Sequence, residues 1–169
     1  PLFLIDTSTS ELYTLSLHDA LPIYMGDMSR VFSIGKLPEQ AYAAHQTCME
    51  VQEEVTAMAK PGTACEDMYN KAIDIVTKAG FADYFMGVGQ KAKFIGHGIG
   101  LEINEMPVLA PRMKQELEPG MVFALEPKIV LPDIGPVGIE NSWVVTTEGL
   151  EKLTLCGGEI GRASCRERV

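Results

Sequence analysis

Residues 121–145 hold two apolar stretches, each carrying one glutamate, on either side of Leu131-Pro132-Asp133-Ile134-Gly135-Pro136. That connection is rich in turn formers, so the two stretches are expected to fold back as a hairpin. If it centres on Asp133, positions equidistant from that residue oppose each other, and Glu126 faces Glu140. Directly opposed side chains have Cβ atoms about 4.5–5.5 Å apart, where like charges destabilise. Phe123, Ala124 and Leu125 flank one glutamate, and Val137, Ile139 and Trp143 the other. An unpaired carboxylate in such surroundings is costly. A shared proton or a positive charge must therefore lie between them, and a metal ion meets that demand. A register slip of one residue would send one glutamate to the opposite face.

Two further segments carry the same chemistry. In Gly96-His97-Gly98-Ile99-Gly100, glycines on both sides of the histidine remove Cβ bulk and are expected to let a ligand approach the imidazole. In Tyr24-Met25-Gly26-Asp27-Met28-Ser29-Arg30, Asp27 stands on a predicted strand face. Asp27, His97, Glu126 and Glu140 together form a hard-oxygen set with one nitrogen. That set suits Mn²⁺, Co²⁺, Fe²⁺ or Zn²⁺ better than a thiolate site would.

The rest of the chain predicts the scaffold. Residues 24–34 read as a strand ending at Gly35. Pro38 suits a first helical position, and residues 39–60 carry Val51, Val55 and Met58 at helical spacing. Thr63 and Glu66 form a capping-box pattern before a second helix with Met68, Ala72, Ile75, Val76 and Ala79 on one stripe and Gly80 at C′. Short strands are expected at 93–95, 108–109, 121–130, 137–146 and 152–155. A strand, two helices and then antiparallel strands make an α+β order. His45 reads as a helix-face residue, Cys48, Cys65 and Cys156 as small reduced core residues, and Glu50, Glu53 and Glu54 as a solvated face. Gly87 to Ala92 matches a dinucleotide-binding spacing but follows a helix rather than a strand, which argues against it.

Composition narrows the function. The chain has 169 residues and a formal charge of −9 without a basic stripe, which disfavours nucleic acid as a partner. No apolar run approaches the roughly 18 residues of a membrane span. Four cysteines without paired spacing point to a reducing, cytoplasmic setting. The two ends are anomalous. With suitable codons for residues 14–23, the complementary DNA strand read one base in encodes Ile160 to Val169 residue for residue. That DNA resembles a sequencing adapter. Residues 1–23 are thus expected to be a non-native leader, 24–158 a catalytic domain and 159–169 an adapter-derived tail.

The three motifs, in this order, resemble the pita-bread metallopeptidases, which include methionine aminopeptidase, aminopeptidase P and prolidase. Val137-Gly138-Ile139-Glu140-Asn141 and the stretch from Thr147 to Thr154 look most like the proline-peptidase branch. The resemblance implies an N-terminally truncated pita-bread domain, with two helices packed on a curved antiparallel sheet. It implies a hydrolase that uses two divalent ions, Mn²⁺ first among them, to cleave peptides with proline at the second position, and a homodimeric parent. Asp27 and Glu140 would be bridging ligands, His97 the histidine ligand, and Glu126 both ligand and general base. The family carries another Asp about eleven residues before the bridging one, where this chain has Ser16, and usually a substrate-binding His where it has Asn104. A binding module that has lost its metals, or a creatinase-like hydrolase that works without the metal set, are the alternatives.

Overall fold

The computed structural model describes residues 24–163; the whole leader, Ser16 included, and part of the tail lie outside them. Strand β1 (Phe32–Ile34) leads to helix α1 (Glu39–Met58) and helix α2 (Cys65–Lys78). Then come β2 (Gly96–Gly98), β3 (Glu105–Val108), β4 (Val122–Leu125), β5 (Lys128–Leu131), β6 (Gly135–Gly138), β7 (Asn141–Val145), β8 (Leu150–Lys152) and β9 (Gly161–Ala163). Strands β3-β2-β4-β7-β8 form an antiparallel sheet, β5 and β6 a hairpin beyond it, and β1 pairs in parallel with β9. Part of the segment read as a tail thus pairs with the strand that precedes α1.

Helix α1 buries Ala41, Ala44, Cys48, Val51 and Val55, a stripe at three- and four-residue spacing, against α2 and the β5–β6 hairpin. Helix α2 buries Cys65, Met68, Ala72, Ile75 and Val76, while Ala79 is exposed. Gly80 takes a φ of 79° past the end of α2, the left-handed turn expected at C′. The capping box does not form. Ala64 is the N-cap, because the Cys65 and Glu66 amides donate to the Gln115 and Met113 carbonyls at 2.9 Å, and Thr63 Oγ1 accepts from the Lys60 amide instead. Burial pushes the Cys48 thiol up to about 12 and that of Cys65 up to about 11, so both stay protonated; Cys156, against expectation, is exposed. His45 is buried rather than a simple helix-face residue, and neither ring nitrogen has a partner. Glu50, Glu53 and Glu54 do face solvent, and Glu54 meets Lys71 of α2 at 2.8 Å.

The hairpin has the predicted register. Lys128 pairs with Gly138, Leu131 with Gly135, Leu125 with Asn141 and Val122 with Val144, all equidistant from Asp133. Asp133 sits at the turn with φ 63°, a left-handed conformation that Asp tolerates. The two long strands expected here are each interrupted, at Glu126-Pro127 and Ile139-Glu140. Among the described residues, no helix is long and apolar enough to cross a membrane.

Candidate metal centre

The interruption positions the two glutamates. Ile139 donates its amide to the Pro127 carbonyl at 3.3 Å, so these two residues form a hydrogen-bonded pair of the ladder. The adjacent pair, Glu126 and Glu140, is then the non-hydrogen-bonded kind, in which side chains lie closer together. Their amides turn outward, Glu126 to the Ile95 carbonyl at 2.8 Å and Glu140 to the Ser29 carbonyl at 3.2 Å. Strand β2 therefore lies on one flank of the pair and the segment carrying Asp27 on the other.

That segment is extended rather than a continuous strand. Met25 donates to the Gly100 carbonyl at 2.8 Å, and the Asp27 amide and carbonyl both bond the Ser142 hydroxyl, at 3.0 and 2.8 Å. Arg30 anchors its end. Its guanidinium donates to the carbonyls of Ser29, Glu140, Cys156 and Gly157 and to Asn141 Oδ1, at 2.6–2.8 Å, which uses all five of its N–H groups.

His97 sits in β2 between β3 and β4. The flanking glycines have a structural reason different from the one expected. A Cβ on Gly96 would strike the Ala124 carbonyl oxygen, and one on Gly98 the Met106 carbonyl, so the strands could not close around the histidine. The Gly98 carbonyl lies 3.1 Å from His97 Nδ1 and can only accept, which places the proton on Nδ1 and leaves the Nε2 lone pair free.

One donor atom each from Asp27, His97 and Glu140 lies within 4.8 Å of the other two. Glu126 stands beside this trio, with Oε1 3.8 Å from His97 Nε2. Its other oxygen accepts from Lys128 Nζ, so Glu126 has a cationic partner two residues along. Burial pushes the Glu140 carboxyl above its ordinary range. The Ser29 hydroxyl, which donates to Oε2, opposes that shift, and the Asp27 and Glu126 carboxylates reinforce it. A buried acid crowded by like charges beside a free imidazole lone pair fits a divalent cation, and the donor set has no thiolate.

Asn104 does not line the cavity that holds Glu126 and Glu140. With Phe94, His97, Glu105, Met106 and Val108 it lines a largely apolar cavity of about 370 Å³, whereas Ser29, Lys128, Glu126 and Glu140 line another of about 300 Å³. Sequence reasoning missed Ser29, Arg30, Lys128 and Ser142. Period-two spacing from Asp27 and Glu126 could have revealed Ser29 and Lys128 as residues on the same strand face.

The profile of metallopeptidase family M24 matches residues 10–147 of the chain, beginning within the segment read as a leader. The Xaa-Pro dipeptidase of Pyrococcus furiosus is 32% identical over 137 residues, which make up 81% of this chain and 38% of that protein. Among solved structures, the X-Pro aminopeptidase from Thermotoga maritima MSB8 superposes with a TM-score of 0.76 at 30% identity. The Xaa-Pro dipeptidase from Bacillus anthracis gives 0.75 at 34%, and each match covers 83% of this chain and 38% of the other. The chain thus spans well under half the length of these relatives. Its helices and antiparallel sheet correspond to part of their pita-bread fold, and the chain belongs to metallopeptidase family M24.

Proposed function

We propose that the chain is the metal-binding part of a peptidase that cleaves after the first residue of Xaa-Pro peptides. The observation that carries this reading is the convergence of Asp27, His97 and Glu140 donor atoms within 4.8 Å, with Glu126 alongside. These four residues would hold two divalent ions, and the predominance of oxygen donors favours Mn²⁺. Divalent ions at such a site acidify water and polarise a carbonyl. The chain's own contribution is proton handling and orientation. Glu126 Oε1, the oxygen that Lys128 leaves free, is placed to take a proton from water and return it to the departing amine. The Gly98 carbonyl holds the imidazole in the tautomer a cation needs. The apolar cavity beside His97 suits a prolyl ring, with the Asn104 amide as hydrogen-bond donor to the peptide.

The names of the relatives support proline selectivity, and the three free thiols among the described residues agree with a reducing compartment, which we take to be the cytoplasm. With Ser16 in place of an acidic residue, we expect the 169-residue chain to be a weak catalyst. Mn²⁺-dependent release of proline from a Xaa-Pro dipeptide tests this against a full-length relative; turnover at the relative's rate refutes the expected weakness. A second reading, a metal-free binding module, rests on Lys128, whose ammonium already neutralises Glu126. Calorimetric titration with Mn²⁺ separates the two: stoichiometric uptake supports the peptidase, and no uptake supports the module.

A further inference from the structure

Pro127 breaks the ladder at the pair it forms with Ile139. In a hydrogen-bonded pair each residue both gives and takes one bond. Ile139 gives its amide to the Pro127 carbonyl at 3.3 Å, but proline has no N–H to return. The Ile139 carbonyl, in the core one residue before Glu140, therefore lacks its ladder donor. Gln52 of α1 supplies one. Its side chain is 5% exposed, and Nε2 donates to the Ile139 carbonyl at 3.4 Å and to the Leu125 carbonyl at 2.5 Å. Each of these carbonyls belongs to the residue immediately before one of the two glutamates. Gln52 Oε1 accepts from Asn141 Nδ2 at 3.4 Å, and Asn141 Oδ1 in turn accepts from Arg30.

We propose that Gln52 is a positioning residue for the metal centre: a donor reaching from the helix layer that replaces the N–H missing at Pro127 and holds Glu126 and Glu140 at the spacing a shared cation requires. The proposal rests on the metal-centre reading for its functional consequence, and on the ladder break alone for its structural one.

The test uses the full chain. In Gln52→Leu, Mn²⁺ affinity by calorimetry, measured well below the melting temperature, is expected to fall at least tenfold. Hydrogen exchange of the Glu126 and Glu140 amides is expected to accelerate relative to that of Val130, which bonds the Tyr84 carbonyl away from the break. Adding Pro127→Ala returns a backbone N–H opposite the Ile139 carbonyl, and the double variant should recover most of the lost affinity. Val55→Ala, a core truncation one turn further along the same helix that touches none of the Gln52 hydrogen bonds, should lower the melting temperature and keep wild-type affinity. Wild-type affinity in Gln52→Leu, no rescue by Pro127→Ala, or an equal loss in Val55→Ala each overturns the proposal. Should Gln52→Leu fail to fold, Gln52→Asn, one methylene too short to span both carbonyls, takes its place with the same expectations. If wild type takes up no Mn²⁺, the metal-centre reading fails, and the exchange measurements still decide whether Gln52 holds the break.

Discussion

Glu140→Gln should raise the stability of the metal-free chain while removing most of what a metal adds. Oxygens of Asp27 and Glu140 lie within 4.8 Å of each other. Two unit charges at that separation repel by about 3 kcal/mol at an effective dielectric constant near 20. Solvent screening at half-buried Asp27, with Ser29 and Lys128 opposing, reduces the net gain from neutralising Glu140 to about 1–2 kcal/mol, or about 3–8 °C in melting temperature. The pH dependence follows from the raised carboxyl of Glu140, whose ordinary value is 4.5. Between 4.5 and the higher folded value, the native chain holds a proton that the unfolded chain releases. Wild-type stability in chelator therefore falls as pH rises through that window, and the variant lacks this component of the slope. Free Mn²⁺ at a hundred times its Kd adds about 2.7 kcal/mol to wild type by mass action, and far less to a variant short of one carboxylate ligand. The order of stability should thus invert between chelator and Mn²⁺ in parallel thermal melts. A lower melting temperature for Glu140→Gln in chelator, or equal Mn²⁺ shifts for both proteins, refutes the reasoning.

Lys128→Met removes the ammonium from Glu126, so Mn²⁺ should bind about 3–10-fold more tightly by calorimetry while the metal-free chain loses about 1–3 kcal/mol for the unpaired acid. Gly98→Ala drives a Cβ into the Met106 carbonyl, and urea unfolding should show a loss of about 1–3 kcal/mol together with weaker metal uptake through His97. His45→Leu replaces a buried imidazole whose ring nitrogens both lack partners, and should stabilise by about 1–3 kcal/mol at pH 7. Burial and the Arg30 charge hold the His45 imidazole below its ordinary 6.5. The unfolded chain therefore takes up a proton first as pH falls below 6.5, and the stability wild type loses there should be smaller in His45→Leu, as read by melts across pH 4–7.

The legible parts of this fold were those encoded locally. The turn at Asp133 and the alternating strands around it set the register, and with it the opposition of Glu126 and Glu140. The stripes of α1 and α2 followed from their spacing. The illegible parts depend on partners distant in sequence. Thr63 and Glu66 had the pattern of a cap, but carbonyls of Gln115 and Met113 satisfy those amides. Strand β2 is Gly-His-Gly, which carries almost no strand propensity, and it is a strand because β3 and β4 close on it. The interruption at Pro127 was visible as a proline, whereas the glutamine that completes it sits 75 positions earlier on a helix.

The saturated guanidinium of Arg30 also bears on the order of assembly. Two of its acceptors are carbonyls 126 and 127 positions further along the polypeptide, and two more acceptors lie on Glu140 and Asn141. On a ribosome, the segment carrying Asp27 precedes every group that holds it, first Gly100, then Glu140 and Ser142, and last Cys156 and Gly157. The cation-binding cluster therefore closes only after Glu140 and Ser142 have emerged, and Arg30 finds its last two acceptors later still.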